Sequence, residues 1–183
     1  LLLLFMTFLF INTEVWQVAS ALQGGVLWGS VLFFAAAAVG FLVPRLAEEL
    51  DSFDDRIVAE DLIDAAKGTP LEAAARELVD SDVDLPEEAQ VTGLQMVNLV
   101  VVLVVAQAVQ VLLLALAVFG FFIVFGSVAI QDSVIEAWLG YPPHYPPGPH
   151  LVSRELAHVA VFLAAFSGLY FTVVAITDEL YRK

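Results

Sequence analysis

The sequence predicts an all-α fold, a polytopic membrane helix bundle with four transmembrane helices and an acidic cytoplasmic helical hairpin. Three observations predict it. Of the 183 residues, 60% are hydrophobic and 15% charged, and the mean hydropathy of +0.87 is far above that of an ordinary soluble domain. Uncharged runs such as residues 94–126 exceed the roughly 18 residues that mark a bilayer-spanning helix. Charge is also segregated, because fifteen of the 21 acidic residues fall within residues 45–90, beside only four basic ones.

Residues 1–43 read as transmembrane helices 1 and 2, a helical hairpin of two spans at about 1–22 and 26–43 joined at Gly24-Gly25. Ala19-Ser20-Ala21 after the apolar residues 1–11 imitates a secretory cleavage site, but the run is read as a retained span. If the turn is tight, Glu14 lies ten residues before it, about 15 Å down a helix rising 1.5 Å per residue, and so at mid-membrane. The alternative ends the first span near Ile11 and leaves Asn12, Thr13, Glu14 and Gln17 in the interface.

Residues 44–93 form the acidic segment. Leu46, Leu50, Phe53 and Ile57, followed by Val58, Leu62 and Ala65, make the stripe of an amphipathic helix. Gly68 ends it, and Thr69-Pro70-Leu71-Glu72 reads as a capping box opening a second helix through Val79. Leu71, Ala74, Ala75 and Leu78 supply the opposing face. Asp84-Leu85-Pro86-Glu87 repeats the start signal ahead of transmembrane helix 3 at 94–126.

Residues 127–153 are read as extracytoplasmic: a short helix from the capping box Ser133 to Glu136 as far as Leu139, a stop at Gly140, then five prolines in the ten residues 141–150. That stretch is extended and stiff, either a spacer on the membrane surface or a docking strip for a partner. Residues 154–183 are transmembrane helix 4 and the C-terminus. Arg45, Arg56, Lys67 and Arg76, with Arg182 and Lys183, put the acidic segment and the C-terminus on the cytoplasmic side, against Arg154 alone on the other.

Net charge −14 with only seven Lys and Arg excludes nucleic acid as a partner. The absence of Cys removes disulfides, thiolate metal sites and thiol catalysis. No phosphate-binding glycine loop, Ser-His-Asp set or HExxH occurs, so an enzyme is the least favoured class. No catalytic, cofactor or metal residue is assigned. Glu155, His158, His144 and His150 gather near one end of the fourth span, but their spacing matches no metal motif.

Two sets of residues invite a role. Gly25, Gly29, Ala36 and Gly40 share one face of the second span, and Ala160, Ala164 and Gly168, with Ala157, one face of the fourth. In lipid such faces let helices approach closely, within one bundle or between subunits. Polar residues at membrane depth are costly and tend to mark function. Glu14, Gln17, Gln107, Gln110, Ser167 and Tyr170 form a candidate intramembrane cluster, either hydrogen-bonding glue between helices or an ion or proton site centred on Glu14.

The stretches Asn12-Thr-Glu-Val-Trp-Gln17, Val124-Phe-Gly-Ser-Val-Ala-Ile130, Val134-Ile-Glu-Ala-Trp-Leu-Gly140 and Ala165-Phe-Ser-Gly-Leu-Tyr-Phe-Thr172 resemble an uncharacterised family of four-span, multi-pass integral membrane proteins from high-GC actinobacteria. The likeness covers most of the chain and implies a bacterial inner membrane, but it transfers no functional residue. The expected function is a homo-oligomeric channel or ion-conducting bundle in the cell membrane. The alternative is a non-catalytic accessory or scaffold subunit that docks a protein partner through the acidic hairpin or the proline strip.

Overall fold

The computed structural model describes residues 2–54, 59–80, 93–148 and 151–180, with side chains for 2–47, 62–80, 93–148 and 151–175. Among the described residues the chain is helical and carries no strand. In order come α1 (Leu2–Phe10), α2 (Thr13–Ala21), α3 (Gly25–Asp54), α4 (Ala59–Ala66), α5 (Glu72–Asp80), α6 (Leu94–Ala129), α7 (Asp132–Leu139) and α8 (Arg154–Leu180). Three are long and apolar enough to cross a bilayer: α3 over Gly25–Ala47, all of α6, and α8 over Arg154–Ala175. The multi-pass membrane class therefore stands on three helices.

The first expected span is not one helix. It breaks at Ile11 and Asn12, and α1 and α2 meet at 76°, so a fourth span exists only if the bent pair counts as one. The break has a local cause. The Asn12 side chain accepts from the Glu14 N–H at 2.8 Å and the Val15 N–H at 3.3 Å, capping a new helix as short polar side chains do at this position. Across the elbow, Trp16 Nε1–H donates to the Phe10 carbonyl at 2.6 Å and occupies an acceptor at the end of α1.

The expected boundary after residue 43 is not a helix end either, since α3 runs on through Pro44. Pro44 has no N–H for the Gly40 carbonyl, so the helix continues with one bond missing. The chain divides here into two compact units, Val43–Val105 and the remainder.

In the Val43–Val105 unit, α4 packs on α5 across a turn that uses Gly68 at φ +73°. Gly68 N–H donates to Glu72 Oε2 at 2.9 Å and Leu71 N–H to Thr69 Oγ1 at 3.2 Å, so Thr69 and Glu72 do frame the start of α5. The contact between the helices buries Ala66 and Ala75, whereas Leu71 and Leu78 are exposed, contrary to the opposing face expected for them. The small residues let the two helices approach closely. The side chains of Leu50, Phe53, Ile57 and Val58, and the start signal at 84–87, lie outside the described residues.

The other unit, residues 1–42 with 106–183, holds the core. Met6 and Phe10 of α1, Trp16 and Ala19 of α2, Val118 and Phe122 of α6, Ile135 of α7 and Leu156, Val159, Ala160 and Leu163 of α8 form one buried cluster. Phe10 stacks on Phe122 at 4.5 Å and meets Trp16 edge-on at 5.6 Å, geometries that add to area burial. Helix α7 opens without the expected capping box: its N-cap is Gln131, whose side chain makes no cap bond, and Asp132 begins the helix. Gly140 does stop it, at φ +80°, a conformation that suits glycine at a helix end.

Candidate functional site

The six residues of the expected polar cluster are dispersed. Glu14 is exposed in the first turn of α2. Gln17 is also exposed and donates from Nε2 to the Trp138 carbonyl of α7 at 2.9 Å. Ser167 is fully buried, but its hydroxyl donates to Ala164 of its own helix at 2.7 Å. Tyr170 stacks its ring on Phe5 of α1 at 5.3 Å. Gln107 is half-buried and Gln110 exposed on α6. Among the described residues no hydrogen bond joins any two of the six. The elbow at Asn12 is the physical reason for α2, since the residues after it start a new direction instead of continuing down a span.

The two small-residue faces meet opposite fates. On α8, Ala160 and Ala164 are buried, and a Cβ built on Gly168 would sit 3.0 Å from Val111 of α6. Gly126 of α6 is tighter still: its Cβ would fall 2.4 Å from Leu156 Cδ1 and 2.9 Å from Phe10 Cζ. On α3 the reverse holds. Among the described residues, Gly25, Gly29 and Gly40 have nothing within 4 Å of a built Cβ, and Ala36 is exposed. At 3.6 residues per turn these four positions fall within about 60° of one another. They face away from Phe34, which meets Phe162 and Phe166 of α8 at 5.6 and 5.7 Å.

A polar site that the sequence only hinted at lies where α8 begins. Ser153 caps the helix, its Oγ accepting from Leu156 N–H at 3.1 Å. Glu155, 5% exposed, turns both carboxylate oxygens to one residue of the proline strip. Oε2 accepts from the His144 N–H at 3.0 Å, and Oε1 lies 2.9 Å from His144 Nδ1. Arg154 N–H donates in return to the His144 carbonyl at 2.8 Å. A buried carboxylate is tolerated because these bonds replace its water. Tyr145 O–H donates to Asp132 Oδ1 at 2.5 Å; that bond first, then burial and the charges of Asp132 and Glu155, push the phenol up from 10.0 to about 12.

The strip is thus folded back over the start of α8. A signal was present in the sequence. Prolines carry no N–H, so between residues 142 and 147 only His144 and Tyr145 can donate from the backbone, and a buried acceptor must reach for one of them. His158 lies one turn further along α8, its Nδ1 buried. Among the described residues no group of three His, Asp or Glu side chains is placed to hold a metal ion; His150 lies outside them.

The chain matches no protein-family model, no curated protein and no solved structure. Its function has to be read from its own geometry.

Proposed function

We propose that the protein is a non-catalytic subunit of a membrane assembly, in which α3 docks a partner transmembrane helix along Gly25, Gly29, Ala36 and Gly40, the first partner being a second copy of the chain. The observation that carries this reading is the bare small-residue face. Lipid-facing positions are well served by large apolar side chains, whereas glycine there leaves a groove that only another helix fills closely. The equivalent residues on α8 are used inside the chain, whereas this face is bare among the described residues.

The conducting function expected from the sequence leaned on Glu14 at mid-depth beside Gln107 or Gln110. Glu14 is exposed in the first turn after the elbow and bonds to neither, which favours the scaffold reading. In the same proposal the assembly sits in a bacterial inner membrane with residues 44–93 and the C-terminus cytoplasmic, on the strength of Arg45, Lys67 and Arg76 against Arg154.

The chain has no native cysteine, so both parts are testable by thiol chemistry. Gly29→Cys and Gly40→Cys should cross-link between copies in native membranes. Phe41→Cys, about 100° round the helix from residue 40, should not. Equal cross-linking at all three positions, or none at any, would remove the α3 interface. Ala73→Cys and Gln131→Cys should react with an impermeant reagent from opposite sides. Cation flux through liposomes that Glu14→Gln abolishes would restore the channel.

A further inference from the structure

Phe34 of α3 meets α8 through the rings of Phe162 and Phe166, and side chains of that size keep the two helices apart. Directly beyond this contact both helices turn small residues to each other, Ala35 and Ala38 on α3 and Ala165 and Gly168 on α8, which are too short to fill the gap. An apolar cleft of about 220 Å³ results, with Ala108 and Ala115 as its wall on α6. Its exposed side belongs to α3 and α6, at Ala35, Val39, Ala108 and Leu112; its buried side belongs to α8, at Gly168 and Thr172. Gly168 also lets Val111 of α6 come close, since a Cβ there would lie 3.0 Å from Val111. Among the described residues Thr172 is the one polar side chain of the lining, and its hydroxyl donates to the Gly168 carbonyl at 2.9 Å. A water held in an apolar space needs at least two polar partners, and the cleft does not supply them.

We infer that this cleft holds one acyl chain of a bilayer phospholipid, seated between α3 and α6 against α8. Its depth supports this occupant. Ala35 and Ala38 lie at the middle of the span Gly25–Ala47, and Ala165 and Gly168 at the middle of the span Arg154–Ala175, where the surrounding solvent is hydrocarbon. Its size supports it as well. A volume of about 220 Å³ drawn out over the eight residues 165–172, or about 10 Å of helix, has a cross-section of about 20 Å². One hydrocarbon chain fits that section, whereas a helix about 10 Å across does not, so a second copy of the protein is excluded as a helical occupant. A chain in the cleft supplies the packing contacts that the alanines lack. The inference rests on the three spans and not on the docking face proposed for α3: Ala38 and Ala36 point about 200° apart round the helix, so the cleft and the bare face lie on opposite sides.

The test uses the full chain in nanodiscs of phosphatidylcholine that carries a diazirine midway along one acyl chain. The discs are dissolved and the lipid exchanged for detergent before photolysis, so that chains on the outer surface have left and only a held chain inserts into the protein. Adducts should map to Ala38, Ala108 and Thr172, and not to Leu32 and Phe33, which are exposed elsewhere on α3. Ala38→Leu with Ala165→Leu fills the cleft and should abolish these adducts in a chain that stays folded, whereas Leu32→Ala should leave them unchanged. The wild-type adduct map decides by itself if the filled variant does not fold. No adduct in the cleft after exchange, equal adducts at Leu32 and Phe33, or adducts that persist in the folded, filled variant would overturn the site. Loss of the wild-type adducts to an added polyisoprenoid alcohol, but not to phosphatidylglycerol or phosphatidylethanolamine with the same chains, would assign the cleft to a different hydrocarbon and overturn the phospholipid.

Discussion

Gly126 and Gly29 are both glycines inside long apolar helices, and their surroundings are opposite. A methyl group at Gly126 would collide with Leu156 and Phe10, whereas one at Gly29 would meet nothing within 4 Å. Around Gly126 the chain closes on itself. Phe10, Trp16, Phe122 and Leu156 interlock there, and close backbone approach is what admits the Phe10 ring between α6 and α8. Around Gly29 the same residue type makes a groove with no occupant. The difference separates two settings of small residues in apolar helices, where in lipid packing replaces the hydrophobic effect as the force between helices: one completes a fold, and the other is the face we propose for docking a partner.

The comparison breaks most visibly at Trp16, which is fully buried and carries the bond that closes the elbow. Trp16→Ala should cost about 4 kcal/mol, by lost volume and an unmet carbonyl, read as a lowered midpoint in detergent unfolding. A loss under about 1 kcal/mol would mean that the elbow is not held by this contact. Gly126→Leu comes next. Overpacking against Leu156 and Phe10, both almost without exposure, should cost about 2 kcal/mol. A neutral outcome would show that this end is loosely packed and the contrast with α3 unfounded.

These two positions also mark what the sequence did and did not disclose. The spans at α3, α6 and α8 were legible because hydrophobic run length alone selects a membrane helix. The elbow was legible only as an alternative: Asn12 followed by Thr13 and Glu14 is an N-terminus signal, but apolar character continues through Val15, Trp16 and Val18 and hides it. What decides the matter, the Trp16 bond to Phe10, is a tertiary contact. Gly25, Gly29 and Gly40 declared a packing face, and Gly168 declared another, but periodicity cannot say which of two faces the chain will use itself. Glu155, His144 and His158 were gathered in the sequence as neighbours, yet the pairing of Glu155 with a backbone N–H of the strip depends on the loop folding back.

A smaller effect sharpens the account of the packed end. Tyr145 is held as the neutral phenol by Asp132, with its pKa raised from 10.0 to about 12. The unfolded chain ionises first as pH rises, so this contribution to stability is complete below pH 10 and disappears between pH 10 and about 12. Ultraviolet titration of tyrosinate should show a late-ionising component that Asp132→Asn moves back toward the ordinary value. If wild type and Asp132→Asn titrate identically, the proline strip is not held by this bond.

The smallest expected change in stability belongs to the bare face, and it tests the central claim. Gly29→Leu with Gly40→Leu should leave the unfolding midpoint of the isolated chain within about 0.5 kcal/mol per substitution, since among the described residues a Cβ at either site meets nothing within 4 Å. The decisive measurement is energy transfer between labelled copies in liposomes, diluted with lipid until association is lost. Wild-type chains should remain associated to at least tenfold greater dilution than the double variant, with both folded. Identical dilution curves, or no association of the wild type at any density, would contradict the account.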